Sequence, residues 1–116
     1  MLNNVNRLPQ QLVWSFFLAA ALLVSGCESP EEKAAAYLAK AEALYEEGDV
    51  VKAEIEAKNT LQIEPKNAGA RYLLARINES RGDYSKMAGD LRAAIEGDPD
   101  FVAARLKLGT LYVLGN

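Results

Sequence analysis

The chain has 116 residues, half of them hydrophobic and a quarter charged, with a formal net charge of −3. It holds one cysteine and no histidine, which excludes an intrachain disulfide, the usual Cys/His zinc site and any histidine-dependent nucleophile or general base. Its mild acidity argues against nucleic acid as a partner, since that recognition needs a basic footprint.

Residues 1–11 are polar, and Arg7 is the only charged side chain in residues 1–26. An apolar run follows from Leu12 to Val24. It is shorter than the ~20 residues that a membrane-spanning helix needs and fits the hydrophobic stretch of a signal peptide. Leu23-Val24-Ser25-Gly26-Cys27 then resembles a bacterial lipobox: aliphatic residues, two small residues, then the only cysteine of the chain. An ordinary secretory signal with a chance cysteine is the competing reading, and a single basic residue is fewer than such leaders usually carry. The resemblance implies removal of residues 1–26 and a covalent lipid on Cys27, with no other cofactor. Several acyl chains would hold the protein firmly to a membrane. Glu28 follows the cysteine where that family places Asp for inner-membrane retention. The resemblance therefore implies the bacterial envelope, periplasm-facing, outer membrane rather than inner. Residues 27–33 would be the lipidated cysteine and a short tether. Ser29-Pro30-Glu31-Glu32 also reads as a helix start: a hydroxyl cap, a proline at the first position, then acids near the helix N-terminus.

The first expected helix runs from about Pro30 to Glu47, with Tyr37, Ala41 and Leu44 on one stripe and Leu38, Glu42 and Tyr45 on the next. Gly48-Asp49 ends it, glycine taking the left-handed turn conformation and Asp49 capping the next helix. That second helix spans Val50 to about Ile63, with Ala53, Ala57 and Leu61 inward, and Glu64-Pro65 closes it. The plan then repeats. A third helix is expected over Ala68 to Arg81, with Arg71, Leu74, Ala75 and Asn78 at the equivalent places. Gly82-Asp83 makes the turn. A fourth helix, Tyr84 to Glu96, turns Met87, Leu91, Ala94 and Ile95 inward, and Gly97-Asp98-Pro99-Asp100 closes it. Val102 to Tyr112 opens a third unit.

Gly48-Asp49 recurs as Gly82-Asp83, and Glu64-Pro65 recurs as Asp98-Pro99, both at one offset (82 − 48 and 99 − 65). A fixed period in this range marks a helical solenoid, and about 34 residues is the tetratricopeptide (TPR) period. Leu108-Gly109, then two residues, then Tyr112 carries the fullest likeness to the TPR motif. The chain thus resembles TPR proteins over Ala34 to Asn116, as an all-α helix-turn-helix solenoid of about two and a third repeats: 34–67, 68–101 and an incomplete 102–116. The resemblance implies that Ala41, Ala75 and Gly109 are small because helices of one unit cross there. Tyr37 and Arg71 depart from the pattern where tryptophan is favoured, Lys40 where leucine is, and Asn78 and Met87 where tyrosine and alanine are. The lipobox, the acidic tether and the stretches Gly48–Asn59 and Asn67–Leu74 together resemble the start of the long TPR lipoproteins tied to PEP-CTERM sorting and exopolysaccharide export in Gram-negative bacteria.

In that family the first helix of each unit lines a concave, protein-binding face. The resemblance puts Leu38, Glu42 and Tyr45, then Tyr72, Arg76 and Glu79, then Leu106, Thr110 and Val113 on it. Tyr72 and Arg76 are the strongest candidates, because aromatic and arginine side chains dominate interface energetics. A chaperone-type carboxylate clamp is not expected, since Leu38, Glu42 and Leu73 hold its positions. Catalysis is not expected either, as the carboxylates Glu46, Glu47, Asp49, Asp98 and Asp100 sit at turns and helix ends. Leu106, Leu108, Leu111, Val113 and Leu114 leave the last helix with an uncovered apolar side. That implies a fragment of a longer solenoid, or a capping helix that self-associates. The functional expectation is a membrane-anchored scaffold for a protein or peptide partner. The alternatives are a structural accessory of exopolysaccharide or protein export, and a truncated product.

Overall fold

The computed structural model describes residues 26–115. They form five helices: α1 (Pro30–Glu46), α2 (Val50–Ile63), α3 (Ala68–Ser80), α4 (Tyr84–Gly97) and α5 (Val102–Leu114). No strand occurs among the described residues. Each helix packs on its chain neighbours, and α1 also touches α3, so the architecture is an all-α helical repeat built like a solenoid. The leader, and with it Leu23 to Ser25 of the lipobox, lies outside the described residues. So does Asn116.

The two tight turns are built alike. In the first, the Gly48 amide donates to the Tyr45 carbonyl at 3.1 Å and the Asp49 amide to the Leu44 carbonyl at 2.9 Å. In the second, Gly82 donates to Glu79 at 3.0 Å and Asp83 to Asn78 at 2.9 Å. This is the Schellman closure, which satisfies orphan helix carbonyls. It needs a left-handed residue, and Gly48 and Gly82 supply it at φ 87° and 73°. Each aspartate then caps the next helix: Asp49 accepts from the Lys52 amide at 3.2 Å and Asp83 from the Lys86 amide at 3.1 Å. Glu47 and Arg81, expected as last helical residues, are the cap residues of these turns.

The two wider joints share a cause. Glu64 and Asp98 each precede a proline, which excludes the helical conformation. They adopt φ, ψ of −121°, 86° and −139°, 98°. Asn67 restarts the chain by accepting from the Ala70 amide at 2.9 Å. At the first helix, Ser29 and Glu32 form a reciprocal capping box, Glu32 amide to Ser29 Oγ at 3.1 Å and Ser29 amide to Glu32 Oε2 at 2.9 Å.

The core is two clusters joined by α3. Ala41, Ala53, Ala57, Leu73, Leu74 and Ile77 form one. Ala75, Met87, Leu91, Ala94 and Ala104 form the other. The expected inward residues Ala41, Ala53, Ala57, Leu74, Ala75, Met87, Leu91 and Ala94 are all buried, while Leu44, Leu61 and Ile95 pack at the edges. Alanine at the contacts draws the helices close and leaves the larger share of apolar burial to Leu73, Ile77 and Leu91. Each of these side chains contributes about 1.5–3 kcal/mol by leaving water. Leu73 and Ile77 are core residues that the reading by stripes did not place. They lie on the face of α3 that becomes internal only when the unit stacks on α1 and α2.

Gly109 stands on α5, where the described residues hold only the first helix of its unit. It has the register of Ala41 and Ala75, but it is exposed, and a Cβ added there would meet nothing within 4 Å. No helix crosses it among the described residues. Gly97 holds the close approach that the sequence did not reveal. A Cβ there would lie 2.1 Å from the Lys66 carbonyl oxygen, so the end of α4 rests directly on the α2–α3 joint.

Candidate functional site

Cys27 is exposed, with a free thiol, in the non-helical segment just before the Ser29 cap. The thiol is therefore accessible, and the first helix begins three positions further along the chain.

The six residues of α1 and α3 expected on the binding face divide into two groups. Leu38 and Tyr45 on α1 face α3. Leu38 abuts Gly69 so closely that an added Cβ would stand 2.9 Å from its Cδ2. The Tyr45 ring lies under Arg76, with Cζ 4.4 Å from the ring centroid, and Arg76 Nη2 donates to Glu46 Oε1 at 3.0 Å. Arg76 is thus held by an aromatic face and a carboxylate, an arrangement of about 0.5–1 kcal/mol where the pair is partly solvated. Glu42 is exposed one turn away.

Tyr72 and Glu79 on α3 face α5. The Tyr72 ring packs on Phe101 with centroids 4.9 Å apart and planes tilted by 52°. Glu79 Oε2 accepts from Lys107 Nζ at 2.6 Å. Between them opens a cleft of about 450 Å³, walled by Tyr72, Tyr84, Met87, Leu106, Thr110 and Leu114, with the Glu79–Lys107 pair among its lining groups. So α1, α3 and α5 are tied by successive ion pairs, Glu46–Arg76 and then Glu79–Lys107. The acid comes each time from the earlier helix. Tyr84, Met87, Lys107 and Leu114 were missed as lining residues. Lys107 stands one repeat after Leu73, and that register was the available signal.

Two departures from the repeat pattern explain one another. Arg71 and Asn78, where large aromatics were expected, both reach Asp90 on α4. Asn78 Nδ2 donates to Asp90 Oδ2 at 2.9 Å, and Arg71 Nη1 to Asp90 Oδ1 at 3.5 Å. Burial pushes the Asp90 carboxyl up, against the lowering pull of Asn78 and Arg71. Glu56, one repeat earlier, holds the matching place on α2 and pairs with Lys40. That pairing, with help from Asn59, holds the Glu56 carboxyl below the ordinary range. Each unit therefore joins its two helices by a carboxylate on the second helix and a cation on the first.

The cleft offers aromatic and aliphatic walls with one charged pair, which suits an apolar side chain on a partner segment. Among the described residues, no three His, Cys, Asp or Glu side chains cluster as a metal site. No described helix is long and apolar enough to cross a membrane. Comparison with protein-family models finds no match, and no curated protein is detectably similar in sequence.

Proposed function

We propose that the chain is a TPR-type scaffold, tethered to the bacterial envelope through lipid on Cys27 and facing the periplasm, that holds a protein or peptide partner without chemistry of its own. The observation that carries this reading is the pair of identical Schellman–aspartate turns, set one repeat apart, with the α3–α5 cleft opening beside the second. Their spacing matches the TPR period, and helical repeats of this kind work by presenting one face to a partner. The exposed thiol of Cys27 at the end of a lipobox-like stretch supports the anchor. The outer membrane is the favoured location, on the strength of Glu28. The likeness to exopolysaccharide-associated TPR lipoproteins makes an export assembly the first place to seek the partner.

A photo-crosslinking side chain at Thr110, which lines the cleft, tests the reading in cells. The comparison site is Ile55 on α2, which is 53% exposed and away from the cleft. Discrete adducts from position 110 and none from 55 are expected. Equal labelling at both sites, or none at either, would count against a partner in the cleft.

A further inference from the structure

The junctions α1–α3 and α3–α5 share one repeat offset and can be compared position by position. At the first, the Tyr45 ring packs on the cluster that holds Leu73 and Ile77, and Arg76 Cζ stands 4.4 Å from the ring centroid. Leu73 and Ile77 are buried there. One repeat later, Glu79 stands in the place of Tyr45, Lys107 in that of Leu73 and Thr110 in that of Arg76. Glu79 and Lys107 pair with each other at 2.6 Å, and both keep part of their side chains in solvent. Tyr72, the one aromatic residue of α3, is turned to Phe101 at the start of α5. The ring that closes the first junction is therefore missing from the second. The cleft between α3, α4 and α5 opens at that level, and its cause is a set of substitutions within the repeat.

The groups around the opening suit a ring better than an aliphatic chain. Met87 is 3% exposed and lines the cleft, and its thioether makes favourable contacts with aromatic rings. Tyr72 and Tyr84 offer aromatic neighbours. The Lys107 ammonium supplies the cation that Arg76 supplies to Tyr45. Glu79 and Thr110 present oxygen acceptors to a phenol hydroxyl. A leucine side chain would gain burial in the same place and none of these contacts.

We infer that the cleft takes an aromatic side chain of the partner, a tyrosine by preference, in the place that Tyr45 fills at the first junction. This rests on the cleft being the partner site and adds the residue that the partner must present. Contacts of the ring with a cation and with other rings favour it over a leucine by about tenfold.

The test uses the full chain, purified in detergent, with isotope-labelled methionine methyl groups. The chain holds two methionines, Met1 and Met87, so the cleft reports through one of two methyl signals. N-acetyltyrosinamide is the probe and N-acetylleucinamide its competitor. The Met87 signal should move saturably with the tyrosine amide, and the leucine amide should displace it only at about ten times the concentration. The double variant Glu79→Tyr/Lys107→Leu puts the residues of the first junction back and should lose the response while keeping its helix content. No saturable shift in the wild type, equal potency of the two amides, or an unchanged response in the folded variant would each overturn the inference. Should that variant fail to fold, the wild-type comparison of the two amides decides alone. Cellular adducts at Thr110 together with equal potency of the amides would keep the partner and remove the aromatic choice. Saturable, tyrosine-selective binding without such adducts would keep the aromatic site and remove the partner.

Discussion

Gly97 ends α4 against the Lys66 carbonyl, where no Cβ fits. Both parties are backbone, so the strain of Gly97→Ala has no flexible side chain to absorb it. The expected cost is about 1–3 kcal/mol, read as a lower urea midpoint. Gly89, in the middle of the same helix, is exposed and has nothing within 4 Å of an added Cβ. Gly89→Ala should stabilise by about 0.5–1 kcal/mol through helix propensity alone. Opposite signs for two identical changes on one helix would establish that the α4–α2/α3 joint is a true close approach. Gly48 and Gly82 were legible from sequence, because an Asp after a Gly between two helical patterns has few other meanings. Gly97 was not, because its reason is Lys66, a neighbour almost a full repeat away in sequence, rather than its own φ.

At the scale of an element, the capping aspartates give the helix starts a pH dependence. Hydrogen bonds from the Lys52 and Lys86 side chains, then from their amides, hold the Asp49 and Asp83 carboxyls below the ordinary range. Glu54 is lowered chiefly by Lys58 and then Arg81, and Glu56 by Lys40. For all four, the unfolded chain binds the proton more readily. Their contribution is therefore complete above the ordinary carboxylate values and is lost as pH falls through the lower folded ones. Thermal stability should drop below about pH 4. The double variant Asp49→Asn/Asp83→Asn keeps the caps, since Asn caps as well as Asp, but should drop less steeply. An unchanged slope would remove these two groups from the acid response.

Asp90 runs the other way. Burial raises it, so its ionised form disfavours the fold, and that penalty is relieved as pH falls through its folded value. Replacing Arg71 alone, as in Arg71→Met, should lower stability by about 1–2 kcal/mol, since Asp90 is only partly buried and keeps its hydrogen bond from Asn78. The further change Asp90→Leu should recover much of the loss. A double variant no better than the single would show that the Asp90–Asn78–Arg71 network is not the reason for the loss. Arg71 and Asn78 looked like defects in the repeat when read singly. Their role needs Asp90, which lies across the Gly82 turn on another helix, and no stripe within α3 points to it.

At the scale of the whole molecule, the five helices of the described residues stack in chain order and α3 carries both core clusters. Element order and joints were legible because glycine, aspartate and proline act locally. The stacking face of α3 was less so: a helical stripe shows which residues share a side, but not which neighbour covers it. Of the candidate residues, Tyr45 and Arg76 meet at one inter-helix contact, and Tyr72 and Glu79 line the cleft, while Glu42 stays in solvent. The proposed role joins this stack to a membrane at Cys27. Intact mass of the protein, expressed with its own leader in a Gram-negative host beside Cys27→Ser, tests that junction directly. The account predicts a mass of residues 27–116 plus acyl chains for the wild type, and their loss in the variant. A full-length mass, or a cleaved mass without lipid, would contradict the anchored scaffold.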